Sequence, residues 1–138
     1  MKDCLFCKIV NGEIPCTKIY EDSKTLAFLD ISPATNKGGH TLVITKKHYE
    51  TIADLKDSDL IALTKTVKRI ADALLIYGRG LNIVQNNNKE AGQLVPHVHF
   101  HLIPRFENDG LVIEKWHTHK PTNEELEETA SKIKSLLK

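Results

Sequence analysis

Ten residues, PHVHFHLIPR at 96–105, constrain the fold more than any other stretch. Histidine takes every second position, at His97, His99 and His101, with Val98, Phe100 and Leu102 between and after. On an extended strand residues two apart share a face, so the imidazoles line one side and the apolar residues the other. The stretch therefore predicts a strand with one face for packing and one face for chemistry. Neighbouring histidines stand roughly 6.6–7 Å apart by Cα, from a rise of ~3.3–3.4 Å per residue. Two neighbours can converge on one metal ion, whereas all three reaching the same ion would be strained. A phosphorus-directed role asks less: a neutral imidazole nitrogen can attack an electrophile if its other nitrogen is held as N–H. Its neighbours can then donate to phosphate oxygens or protonate a leaving group. The bland reading, a solvated polar face of an edge strand, suits one histidine better than three in register.

The rest of the chain bounds what surrounds that strand. Its 138 residues suit a single domain, 1–138, with no Pro/Gly/Ser linker to divide it. Leu60, Leu63, Val67, Ile70, Ala71 and Leu74 recur at three-to-four spacing and predict a helix over 58–77, stopped by Gly78. Thr122-x-x-Glu125 is a capping-box pattern opening a second helix, with acids early and lysines late. Short β-branched or aromatic runs predict strands at 18–22, 25–30, 40–45, 81–86 and 97–103. Strands at both ends of a central helix, without regular alternation, indicate an α+β fold with a largely antiparallel sheet of about five strands. Formal net charge is +1, which gives no global field toward nucleic acid or an anionic membrane. The start, MKDCLFCKIV, lacks the apolar core of a signal peptide, so a cytoplasmic home is expected, with Cys4, Cys7 and Cys16 reduced.

Beyond these readings, HVHFHLIPR resembles the signature of the histidine-triad (HIT) family, and four further blocks agree in order. They are LFCKIVNGEIP at 5–15, LAFLDISP at 26–33, HTLVITKKH at 40–48 and NNNKEAGQLVPHVHFH at 86–101. The resemblance implies an antiparallel sheet with two helices, paired into a homodimer whose sheets join. It implies a purine nucleotide substrate cleaved at the α-phosphorus through a nucleotidyl-histidine intermediate, releasing nucleoside monophosphate. His99 is then the nucleophile, His101 the contact to phosphate and leaving group, and His40 the further histidine that orients the cluster, with His97 completing it. Asp30 would take the ribose hydroxyls, and a carboxylate is suited to accept both. Leu5, Phe6, Ile9, Phe28 and Ile31 would wall the base, and Asn86 and Gln93 would contact phosphate beside Gly92.

Cys4-x-x-Cys7 alone is half of a tetrahedral zinc site, or a redox pair, or two buried thiols. The resemblance implies a structural zinc held by Cys4, Cys7, His48 and His97, which would relieve the triad of converging on one ion. No organic cofactor is expected, and magnesium is not obligatory on the nucleotidyl-histidine scheme. Cys16 reads as an ordinary thiol, and His117 and His119 as surface residues. Trp116 would pack at a dimer contact. Two departures bear on activity. Leu94 stands where relatives that cleave phosphoramidates commonly carry a serine, and the 31–39 loop is about two residues longer than usual. They keep open a dinucleoside polyphosphate hydrolase and a nucleotide-binding interaction protein with vestigial catalysis; a plain zinc hydrolase is the third alternative.

Overall fold

The computed structural model describes residues 3–113 and 115–138. Five strands, β1 (Lys18–Glu21), β2 (Thr25–Leu29), β3 (Thr41–Thr45), β4 (Gly80–Gln85) and β5 (His99–Arg105), form one sheet in the order β1-β2-β3-β5-β4. Every neighbouring pair is antiparallel. The helices among the described residues are α1 (Leu5–Val10), α2 (Asp57–Tyr77) and α3 (Asn123–Leu136), besides two short 3-10 turns.

Strand alternation divides the core in two. Ala27, Val43, Val98 and Leu102 face α2 and pack on Leu63, Val67, Ile70, Ala71 and Leu74, the residues whose spacing predicted that helix. Burying a side chain such as Leu63 completely contributes about 1.5–3 kcal/mol, so this stripe alone accounts for the helix's attachment. A polar pair sits in the same layer, Thr25 and Thr66 hydroxyls 2.7 Å apart. On the opposite face Leu26, Phe28, Leu42 and Ile44 pack against Cys4 and Phe6.

Gly78 ends α2 as expected, though its backbone is extended and needs no glycine for its dihedrals. The requirement is space: a Cβ there would lie 3.1 Å from Pro104 Cβ and 3.2 Å from the Arg105 carbonyl oxygen. α3 opens with the anticipated capping box, the Glu125 N–H donating to Thr122 Oγ1 and the Thr122 N–H to Glu125 Oε2. Its apolar side chains Leu126, Ile133 and Leu136 stay exposed. No helix among the described residues is long and apolar enough to cross a membrane.

One element was not anticipated. Residues 5–10 form the short helix α1, capped by Cys4, whose sulfur accepts the Cys7 N–H at 3.4 Å. Six residues are too few for a 3.6-residue period to show, and too few to be stable as an isolated helix. The β5 ladder begins at His99 and not at residue 97, because the His97 N–H donates to the Val95 carbonyl and the Val98 N–H to Tyr49.

Candidate active site and metal cluster

Register assembles the histidines. In the β3–β5 pair Ile44 lies opposite His99 and Leu42 opposite His101, so both imidazoles share the face of Leu42 and Ile44. His40 precedes β3 by one residue and is two from Leu42, hence on that same face. The Asp30 N–H donates to the His40 carbonyl at 2.9 Å, which brings the end of β2 alongside. Asp30, His40, His99 and His101 thus come together from three adjacent strands, as the sequence requires if their shared role is real.

Hydrogen bonds then fix where each proton resides. His99 Nδ1–H donates to its neighbour His97's carbonyl oxygen at 2.6 Å, which leaves Nε2 as the ring's lone-pair nitrogen. The Ala34 N–H donates to His40 Nδ1 at 2.9 Å, so the proton of His40 lies on Nε2. That proton is donated to His101 Nδ1 at 3.0 Å, and His101 in turn carries its own on Nε2. Asp30 Oδ2 stands 3.6 Å from His40 Nε2, while its Oδ1 accepts the Ser32 N–H at 2.8 Å. The 31–39 loop therefore does more than connect strands, since its Ala34 amide sets the tautomer of His40.

Burial pushes the basicity of all three rings down. It is the leading cause for His99 and for His40, opposed by the His97 carbonyl in the first and by Asp30 in the second. For His101 burial leads, the neighbouring imidazoles add to it, and the pKa falls to about 4. The three rings are neutral at pH 7, the state in which the tautomer chain above holds.

His99 and His101 open onto a cleft of about 490 Å³. Leu5, Phe6, Ile9, Phe28 and Ile31 line it, all five residues expected as apolar walls, together with His40, Asp30 and Asn86. Phe6 meets Phe28 and His99 edge-on, with centroids 5.7 and 5.1 Å apart. Gly92 also lines the cleft, at φ +85°, a left-handed backbone that favours glycine. Gln93, expected at the phosphate, does not line the cleft. Its Oε1 accepts the Asn88 N–H at 2.8 Å and its Nε2 donates to the Glu50 carbonyl at 2.7 Å, so its amide clamps the loop. Ile14, Pro15, Cys16 and Leu42 line the cleft without having been singled out for it. Leu42 was legible, two residues after His40 on the same face; Cys16 carried no such signal. Leu94 lines the cleft with 92% of its surface exposed.

The first histidine of the triad turns elsewhere. His97 is fully buried, and its Nε2–H donates to the Thr45 carbonyl at 2.7 Å. Its Nδ1 lone pair is thereby aimed at two thiols, 3.4 Å from Cys4 Sγ and 3.6 Å from Cys7 Sγ. His48 Nδ1 lies 3.4 Å from Cys7 Sγ, and all four ligand atoms fall within 4.8 Å of one another. Metal–sulfur bonds of about 2.3 Å and metal–nitrogen bonds of about 2.0–2.1 Å give a tetrahedron whose S···N edges are about 3.6 Å. The cluster fits a tetrahedral ion. The Cys7 thiol is pushed up to about 11 by burial first and by Cys4 second, a cost that a bound cation would reverse. Asp30, His40 and His101 also hold ligand-type atoms within 4.8 Å of one another. Cys16, His117 and His119 join neither group; the two histidines and Trp116 are exposed.

A sequence model of the HIT domain matches residues 11–108. The chain belongs to the HIT family. An uncharacterized HIT-like protein of Methanocaldococcus jannaschii is 54% identical over 112 residues, 80% of this chain and 85% of that protein. Adenosine 5'-monophosphoramidase of Schizosaccharomyces pombe is 41% identical over 135 residues, 95% of this chain and 98% of the relative. The crystal structure of a HIT family member from Bacillus subtilis superposes with a TM-score of 0.90 at 41% identity, covering 99% of this chain and 98% of that one. The five-stranded antiparallel sheet is the HIT fold expected from the sequence.

Proposed function

We propose that this HIT protein is a nucleotide hydrolase that cleaves nucleoside 5'-phosphoramidates through a nucleotidyl-His99 intermediate. The observation that carries the reading is the 2.6 Å bond from His99 Nδ1–H to the His97 carbonyl, which leaves a neutral Nε2 lone pair at the cleft. The purine base lies between Phe6, Phe28 and the aliphatic walls, and Asp30 accepts the ribose hydroxyls. Asn86 and the glycine loop receive the α-phosphate. His99 Nε2 attacks phosphorus, an N–P bond forms and the bond to the leaving amine breaks. His101 Nε2–H, aligned by His40, protonates that amine. Water then cleaves nucleotidyl-His99 and releases nucleoside monophosphate. The monophosphoramidase activity of the S. pombe relative supports this class of substrate.

Charge favours an amine over a polyphosphate as leaving group. Among the described residues that line the cleft Asp30 is the one acid, and none is a lysine or an arginine. A departing polyphosphate carries several negative charges that such a site leaves unpaired, whereas a phosphoramidate nitrogen that takes the His101 proton as the P–N bond breaks departs as a neutral amine. Dinucleoside polyphosphates are accordingly the weaker substrates on this reading.

Cys4, Cys7, His48 and His97 are read as the ligands of zinc. Four protein ligands would complete a tetrahedral site, so a bound ion would tie α1 to the sheet and would supply no nucleophile. Magnesium has no obligatory place in the scheme. The chain is taken as one HIT domain over 1–138 that works in the cytoplasm, where its thiols stay reduced. Pairing into a homodimer with a continuous sheet is supported by β4, a sheet edge that carries exposed Ile83.

The test is rapid-quench intact mass with an adenosine phosphoramidate in magnesium-free buffer. An acid-labile adenylyl adduct, absent in His99→Ala, is expected. Neither adduct nor turnover, with nucleotide still bound, would instead make the chain a nucleotide-binding protein, and Leu94→Ser would be the first variant to examine for recovered activity.

A further inference from the structure

The two imidazole groups share parts. His97 contributes its ring to the thiol cluster through Nδ1 and its carbonyl oxygen to His99. Phe6 lies between Cys4 and Cys7 on α1 and meets both rings edge-on, His99 at 5.1 Å and His97 at 5.9 Å. The same Phe6 lines the nucleotide cleft. A displacement of the cysteines therefore reaches the nucleophile along two short routes, one through the backbone of 97–99 and one through the Phe6 ring.

We propose that Phe6 and His97 are positioning residues through which the Cys4–Cys7–His48–His97 cluster, when it holds zinc, fixes the orientation and tautomer of the His99 ring. The physical basis is that α1 is held by the packing of Cys4 and Phe6 on the sheet and has little support from the helix itself. Six residues lack the length for a self-supporting helix. Its cap is a sulfur acceptor at 3.4 Å, and sulfur accepts more weakly than oxygen. Two metal–thiolate bonds would pin both ends of the turn that carries Phe6. The ring of His97, held from the other side by Thr45, would then be locked at both nitrogens, and its carbonyl would be kept in line with His99 Nδ1. On this view the ion is never in contact with substrate, and yet the state of the thiols governs how well the cleft takes nucleotide.

The inference rests on His99 as nucleophile, and its test is chosen to be independent of turnover. Zinc content, AMP affinity by calorimetry and the imidazole ¹⁵N resonances of His99 are measured on the full chain. The zinc-loaded protein is compared with the same protein after zinc withdrawal, after zinc return, and with Cys7→Ser and Phe6→Leu. Loaded protein should show His99 as a single Nδ1–H tautomer. Withdrawal or Cys7→Ser should give averaged resonances and at least about tenfold weaker AMP binding, both restored in the wild type by zinc. Phe6→Leu should keep its zinc and still show averaging without nucleotide, which a mere loss of cleft wall would not produce. The proposal is overturned if zinc does not bind, or if it leaves with the His99 resonances and AMP affinity unchanged. Loss of the whole fold on withdrawal would overturn it as well, because the ion would then be holding the chain together and not a ring. Failure of the hydrolase reading would appear separately, as a well-ordered His99 with no adduct.

Discussion

His97 and His99 stand two residues apart on one side of the chain, both buried, and the structure prepares them for opposite partners. In His97 a carbonyl takes the Nε2 proton, so the lone pair is at Nδ1 and points to the thiols. In His99 a carbonyl takes the Nδ1 proton, so the lone pair is at Nε2 and belongs to the cleft. The acceptors, Thr45 and His97 itself, are ordinary backbone atoms. On the proposed reading of His97 as metal ligand and His99 as nucleophile, residue type and burial do not separate the two roles; the nitrogen that the backbone leaves free does.

The comparison can be broken first at His99, the proposed nucleophile. His99→Ala is expected to lower kcat/KM for an adenosine phosphoramidate by at least roughly a thousandfold, with AMP bound within about tenfold of wild type. Loss of binding in step with activity would deny the ring a chemical role. The matching change at His97 should act on stability. His97→Ala removes a fully buried ring and is expected to cost about 3–4 kcal/mol, the range of large-to-small core substitutions, read from urea denaturation. If His97→Ala proved the milder of the two in stability, the division of labour would be wrong. His40→Ala sharpens the picture at the next level, since it frees His101 Nδ1 and should lower kcat by about a hundredfold with little change in AMP affinity. The smallest effect is on pH dependence. His101 has a folded pKa near 4 against an ordinary value of 6.5, so between those values the unfolded chain binds a proton that the folded one does not. Stability is therefore undiminished above 6.5, falls as pH drops through that window, and levels off below about 4. Urea midpoints at pH 7 and 5 should differ in that direction, and less so in His101→Gln.

The parts legible in the sequence were those governed by period and by local chemistry. Alternation in HVHFHLI placed His99 and His101 on one face, and three-to-four spacing placed Leu63 to Leu74 on α2. Thr122 and Glu125 announced their own cap. The parts that escaped depend on contacts far along the chain. α1 is defined by docking against the sheet and by a sulfur cap, neither of which leaves a periodic trace in six residues. Gln93 satisfies its amide on Asn88 and Glu50, so a polar side chain expected at phosphate is part of the loop's frame. The grouping of His97 with the cysteines was anticipated through the resemblance, but the bend at 95–98 that takes it out of the ladder was not, because it depends on the contact of Val98 with Tyr49.

The amide of Ala34 has a consequence for metal poisoning. Asp30, His40 and His101 are spaced closely enough to seize a stray transition ion, a short distance from a cluster suited to one. An ion at His40 Nε2 would have to expel the proton that the Ala34 N–H keeps there by occupying Nδ1. One backbone donor in a surface loop thus discourages adventitious chelation in the cleft, so that, on the proposed reading, zinc abundant enough to fill the Cys4–Cys7–His48–His97 cluster need not occupy the cleft as well.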